Sequence, residues 1–333
     1  PSVDDQGRGP SDALLPGMSC GCRTRQHVPI KYGPGSVDAP AVPVLPAGDT
    51  GQFTRSSDDR LWLFQRRWVP PDAVKATLMI VHGTVDHSGV YSEMGQALAA
   101  SGIAVFAMDM RGWGLSDGES MYFNDVNTFV ADVDAAYNHI HEDPRLSPVK
   151  SRFLLGKSLG GLVAAFTVAQ HPHSFTGLIG LSGAYQLDPK THAPNAVVRS
   201  ILRCAAALAP KLPVKQAFDP RLIVSDAAAL DAWRADPLCS KDKLRAAYLA
   251  EVLRCSKSLR ADVPDFSIPM LMMWGSGDEV VTRAGHELMI SKSAGMDATF
   301  KVYDGGYHNL LAEPRLKESV IQDVRAWILD RCR

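Results

Sequence analysis

Short apolar runs alternate with helix-length amphipathic segments through most of this chain, and that alternation leaves few folds open. Thr77 to Val81 precedes Ser92 to Ala100, Ile103 to Met108 precedes Asp125 to His141, and Phe153 to Leu155 precedes Leu159 to Gln170. Helix is expected in the second of these pairs because Val126, Phe129, Val130, Val133, Tyr137 and Ile140 recur at steps of three and four and fall on one face. Further strand-like runs lie at Gly177 to Leu181, Ile268 to Trp274 and Thr299 to Tyr303, and a last helical pattern runs through Leu316, Val320, Val324, Trp327 and Ile328. Strands alternating with helices imply an α/β fold, a mostly parallel sheet with helices on both faces.

Three regions fall outside the alternation. Residues 1–49 carry eight prolines and seven glycines with Tyr32 as the only aromatic, too little apolar surface to offset the entropy of ordering, so a disordered tail is expected. Within it, Met18 to Cys22 offers Cys20 and Cys22 as acylation candidates. Order is expected from about Gly51, where two strand-like runs flank the turn residues Ser57-Asp58-Asp59 and predict an antiparallel pair. Tyr185 to Ser267 is too long for a loop and shows helical patterns without a convincing strand, so it reads as an inserted helical cap. The expected organisation is a tail over 1–49, an α/β core over 50–184 and 268–333, and a cap over 185–267.

With 35 basic and 36 acidic residues, no overall field favours nucleic acid. Six cysteines without regular spacing or a C-x-x-C pair argue against a disulfide framework or a zinc site and for a reducing compartment, which points to a cytoplasmic protein.

The motif carrying chemistry is "FLLGKSLGG", Phe153 to Gly161. Gly156-Lys157-Ser158 resembles the end of a phosphate-binding loop, but Ser151 stands where that motif needs its first glycine, and Phe153 to Leu155 are needed as strand. The same residues fit the G-x-S-x-G nucleophile elbow, in which a strand turns sharply into a helix and presents Ser158 at the bend. A serine hydroxyl needs a histidine to take its proton and a carboxylate to orient that histidine. In the matching chain order, Asp278 in "GSGDEVV" follows one strand and His308 in "DGGYHNL" follows the last, so both sit at carboxyl ends of strands, where α/β sheets place active residues. Asp304 is a rival for Asp278, although its place four residues before His308 suits a role in shaping that loop.

An oxyanion needs amide donors, which Leu159, directly after the serine, and Thr84, after His82-Gly83, would supply. His82 is expected to be structural. The pairs His139/His141 and His171/His173 are splayed by their two-residue spacing and lack a third ligand, so no metal is expected.

These residues resemble the α/β-hydrolase superfamily, and more closely its monoacylglycerol lipase and lysophospholipase branch. The resemblance rests on "HGTVDHSGVY", "AMDMRGWGLSDG", "GKSLGG", "DPL" at Asp236 to Leu238, "GSGDEVV" and "GGYHNLLAEP", in that order between Leu61 and Ile328. It implies a Ser158, Asp278 and His308 triad, oxyanion donors at Thr84 and Leu159, no cofactor, and a small acyl ester as substrate. Relatives commonly read "HGxGEHSGRY"; here Val85 replaces a glycine, Asp86 the glutamate and Val90 the arginine, and Lys157 stands where histidine or glutamate is common. A buried Lys157 paired with a nearby carboxylate is the plainer expectation. Asp109, Arg111 and Ser116 match a loop that is mainly structural in the superfamily.

In the cap, Val197, Val198, Ile201, Leu202, Ala205 and Leu208 form an apolar stripe, expected to pack over the active site; the alternative is an interfacial helix that meets a lipid surface peripherally. The overall expectation is a serine ester hydrolase for a lipid-like ester. The alternatives are an acyltransferase, aryl esterase or peptidase on the same scaffold, or a non-catalytic receptor for an apolar ligand.

Overall fold

The computed structural model describes residues 51–189, 196–216, 219–293, 295 and 297–332. The expected tail and its Cys20 and Cys22 lie outside these residues.

The opening antiparallel pair is β1 (Gly51–Arg55) and β2 (Trp62–Trp68). The alternating region supplies β3 (Ala76–Val81), α1 (Ser92–Ala99), β4 (Ile103–Met108), α2 (Val126–Ile140), β5 (Arg152–Lys157), α3 (Leu159–Gln170) and β6 (Gly177–Leu181). The segment expected as a cap contributes α4 (Ala196–Leu208), β7 (Pro213–Gln216), α5 (Ala227–Ala235), β8 (Lys243–Arg245) and α6 (Ala246–Ala261). The chain returns with β9 (Met270–Gly275), α7 (Arg283–Ser291), β10 (Ala298–Tyr303) and α8 (Lys317–Leu329).

Eight strands form one sheet in the order β1-β2-β4-β3-β5-β6-β9-β10, parallel from β4 to β10 and antiparallel at the β1, β2 edge. Alternation along each strand feeds two cores. Met79, Val81, Phe106 and Leu154 pack with α2 and α3 on one face. Leu78, Ile80, Val105, Phe153 and Leu155 pack with α1 and α8 on the other, where Val320, Val324, Trp327 and Ile328 lie as their spacing predicts. The α2 helix is capped by Asp125, whose carboxylate accepts from the Asn127 amide.

One expectation fails inside the 185–267 segment. It contains two strands, β7 and β8, paired antiparallel. They are four and three residues long, and β7 begins at a proline, so neither is long enough to show a period of two.

The helix that positions the site is α3, buried on every side from Leu159 to Val168. It runs so close beneath the sheet that a Cβ at Gly160 would lie 2.0 Å from the Val81 carbonyl oxygen. Neither backbone can yield without moving β3 or α3. Gly160→Ala is therefore expected to lower stability by on the order of 3 kcal/mol, the upper range for overpacking, as measured by denaturant titration.

Candidate active site

The turn from β5 into α3 puts Ser158 at φ 51° and ψ −118°, a left-handed conformation for a residue with a side chain. Such strain costs on the order of 1–3 kcal/mol and persists only where surroundings over-determine it. Here they do. The Ser158 amide donates to the Leu181 carbonyl at 3.1 Å, and its carbonyl accepts from Gly161 at 2.9 Å and Ala184 at 2.8 Å.

The bend presents Ser158 Oγ 2.9 Å from His308 Nε2, and His308 Nδ1 lies 2.8 Å from Asp278 Oδ2. All three residues are buried. The other Asp278 oxygen accepts from the Val280 and Val281 amides at 2.8 and 3.0 Å, which fixes the carboxylate plane. The loops bearing Asp278 and His308 are joined by a Gly277 amide to Gly306 carbonyl hydrogen bond of 2.9 Å. With Nδ1 protonated toward Asp278, Nε2 is left to accept the serine proton, the arrangement a general base requires. Asp304 faces elsewhere and accepts from Ser276 Oγ.

The loop after β3 completes the site. The Asp86 amide closes a turn onto the Gly83 carbonyl, leaving the Thr84 amide outside that bond. A Cβ at Gly83 would lie 3.2 Å from Ser158 Cβ and 2.9 Å from Asp86 Oδ2, so a side chain there would intrude on the nucleophile. Leu159 opens α3, where the first amides have no partner within the helix.

Lys157 finds its partner in this loop. Its Nζ lies 2.6 Å from Asp86 Oδ2, and both side chains are 2% exposed. Burial by itself would raise the Asp86 carboxyl, but the Lys157 ammonium outweighs it and holds the group below its ordinary value of 3.8. The lysine that imitates a phosphate-binding loop thus ties the loop after β3 to the turn at Ser158.

The remaining candidates are structural. His82 sits between the Gly83 carbonyl at 2.7 Å and the Met110 amide at 3.0 Å, and burial lowers its pKa. His286 accepts from the Gly183 amide and donates to the Thr282 carbonyl, and burial depresses it to about 4. Asp109 accepts from the Ser88 and Leu115 amides, Arg111 pairs with Asp132 at 2.6 Å, and Ser116 Oγ donates to the Asp109 carbonyl.

His139 pairs with Glu142, His141 donates toward the Tyr137 carbonyl, and His171 lies 3.9 Å from Asp134. Among the described residues, His87, Asp236 and Cys239 bring donor atoms within 4.8 Å of one another. They fit a metal poorly. His87 Nδ1 accepts from the Gly89 amide, so its proton sits on Nε2 and donates to Asp236 Oδ2 at 2.9 Å, while burial pushes the Cys239 thiol up, away from the thiolate a metal needs.

A cavity of about 20 Å³ lies at Ser158, lined by Thr84, Tyr248 and apolar side chains that include Leu187, Leu244 and Val252. A groove of about 1300 Å³ between α4 and α6 is far larger but includes none of the triad, so size does not mark the chemistry here. Tyr248 escaped the sequence reading; the buried lysine paired with a carboxylate is as expected, and the fold identifies the partner as Asp86, itself a departure from the family pattern.

Removing one partner of this pair leaves a buried, uncompensated charge. Lys157→Met is expected to destabilise by about 3–5 kcal/mol, with most of the loss recovered in Asp86→Leu/Lys157→Met. Because folding depresses the Asp86 pKa, the wild-type stability relative to that double variant should hold above about pH 4 and decline only at lower pH, in denaturant titrations across pH.

A family model described as serine aminopeptidase, S33, matches residues 72–315. The chain is 30% identical over 274 residues to the monoglyceride lipase of Homo sapiens, covering 82% of this chain and 88% of that protein. It is 29% identical to the monoacylglycerol lipase of Mycolicibacterium smegmatis, covering 79% of this chain and 91% of the relative. Among solved structures, a soluble variant of monoglyceride lipase from Saccharomyces cerevisiae superposes with a TM-score of 0.76 at 19% identity, over 88% of this chain and all of the other. The chain belongs to the serine aminopeptidase S33 family of α/β-hydrolases.

Proposed function

We propose that this protein hydrolyses carboxylic esters of a single acyl chain, of the monoacylglycerol type, through an acyl-enzyme on Ser158. The observation that carries the proposal is the buried relay from Ser158 Oγ through His308 to Asp278, at 2.9 and 2.8 Å. Ser158 Oγ attacks the ester carbonyl as its proton passes to His308 Nε2, and the carbonyl electron pair moves onto oxygen facing the Thr84 and Leu159 amides. His308 then protonates the departing alcohol. Water repeats the sequence to release the carboxylic acid, and Asp278 stabilises the imidazolium in both halves.

The lining favours an ester over a peptide with a free amino terminus. An aminopeptidase must hold an α-ammonium group, whereas among the described residues the cavity beside Ser158 is lined by hydroxyls and apolar side chains and no carboxylate. At about 20 Å³ the cavity has room for about one water, so an acyl chain enters only when the covering segment shifts. The lipase relatives support an acyl chain as the occupant of that space.

The segment over the site also supports peripheral contact with lipid. The α4 stripe does not pack inward as the plainer expectation had it. Val197, Ile201 and Leu208 are 67%, 63% and 87% exposed, Val198 is exposed as well, and of the stripe's larger side chains only Leu202 is buried. Among the described residues no helix is long and apolar enough to cross a membrane, so the contact proposed is interfacial.

A fluorophosphonate probe should label Ser158, and Ser158→Ala should lose on the order of 10^6-fold in turnover of p-nitrophenyl esters; unchanged esterase activity in that variant would overturn the proposal. Val197→Glu/Ile201→Glu should reduce sedimentation with phospholipid vesicles and slow hydrolysis of vesicle-borne monoacylglycerol. Turnover of dissolved p-nitrophenyl acetate should stay the same.

A further inference from the structure

The cavity at Ser158 holds two hydroxyls besides the nucleophile, and their protons do not balance. Thr84 Oγ1 and Tyr248 OH lie 2.5 Å apart, and both residues line the cavity. Two hydroxyls carry two protons, and one proton is used between them. Among the described residues the other has no acceptor.

The direction of the shared bond follows from acidity. A phenol is the stronger donor and an alkyl hydroxyl the better acceptor, so Tyr248 donates to Thr84 and the Thr84 hydroxyl keeps its own proton to give. Burial pushes the Tyr248 pKa further up, which keeps the phenol protonated. The Thr84 backbone is held in place, because its carbonyl accepts from the Trp113 indole at 2.5 Å and the next carbonyl, that of Val85, accepts from Trp233 at 3.1 Å, and Tyr248 then holds the hydroxyl.

We propose that Thr84 gives the oxyanion two donors, its amide and its hydroxyl, and that Tyr248 is the positioning residue that aims and polarises that hydroxyl. The inference rests on reading the Thr84 loop as the oxyanion site. When the Ser158 Oγ to carbon bond forms and its proton moves to His308, negative charge collects on the former carbonyl oxygen. The Thr84 hydroxyl hydrogen-bonds to it without transferring its proton, and the Tyr248 donor behind strengthens that bond cooperatively. Tyr248 comes from α6, so the third donor is complete only with the covering segment in place.

Steady-state kinetics with p-nitrophenyl acetate and p-nitrophenyl octanoate test this, because acetate does not need an acyl pocket. Thr84→Val keeps the branched shape and the amide and should lower kcat about 10^2-fold for both esters with KM little changed. Thr84→Ser, which restores a hydroxyl, should recover most of that loss. Tyr248→Phe should lose less than Thr84→Val, and the double variant should be no worse than Thr84→Val alone, since Tyr248 acts through Thr84. Affinity for an alkyl trifluoromethyl ketone should fall in step with kcat/KM. Equal losses in Thr84→Ser and Thr84→Val, a change confined to KM for octanoate, or additive losses in the double variant would each overturn the proposal. None of these outcomes touches the role of Ser158, which Ser158→Ala decides separately.

Discussion

The left-handed backbone at Ser158 is the constraint around which the rest of the molecule is arranged. A strand that runs directly into a helix must turn within one residue, and that residue then stands clear of both elements. The conformation is unfavourable for serine, so it needs fixed neighbours on every side. The sheet supplies Leu181, the loop after β6 supplies Ala184, and α3 supplies Gly161. The close approach of α3 to β3 at Gly160 has the same cause: the helix must start under the sheet for the serine to project above it. The apolar character of α3 on all sides from Leu159 to Val168 follows, because no face of that stretch meets water.

Beside this strained residue lies a second expensive feature, the ion pair of Lys157 and Asp86. A pair this deeply buried adds little net stability against an apolar pair of the same shape, since desolvation consumes most of the Coulomb gain. Its value lies in direction. An apolar contact would let the loop after β3 slide against the elbow, whereas an ammonium and a carboxylate at 2.6 Å fix one register between them. That register sets where the Thr84 amide sits relative to Ser158, and in the proposed mechanism transition-state stabilisation depends on such fixed dipoles.

Strand and helix alternation was legible because β3, β4 and β5 are buried on both faces and α2 on one, and burial writes its period into the sequence. The relay was legible because three chemically distinctive residues follow strand ends in one chain order. Less was legible where a contact joins distant segments. Position 86 and position 157 each departed from the family pattern, and only the fold shows that one departure answers the other. Tyr248 gave no signal, since an aromatic residue in the first turn of an amphipathic helix reads as packing. The α4 stripe misled for a related reason: periodicity shows that a helix has an apolar face but not which way that face turns. Here the segment between β6 and β9 meets the core through Tyr248, Trp233 and Asp236, so α4 is left to point outward.

Those attachments fall on very few places. Residues 84, 85 and 87 of the loop after β3 bond to Tyr248, Trp233 and Asp236 respectively, while Asp86 between them bonds to Lys157. At the other end of the site, the Asn309 amide beside His308 donates to the Ile223 carbonyl, and Ser225 donates to Glu313. The covering segment therefore grips the two loops that carry Thr84 and His308, the proposed oxyanion donor and base, and the cavity beneath it is too small for a substrate chain. Admission of substrate must loosen at least one grip, and chemistry must wait for it to be restored. A surface that pulls on the exposed side chains of α4 acts at the far side of the same segment. The proposed lipid contact and the assembly of the site would thus share one moving part, which would give a physical reason for the apolar face to turn toward solvent rather than toward Ser158.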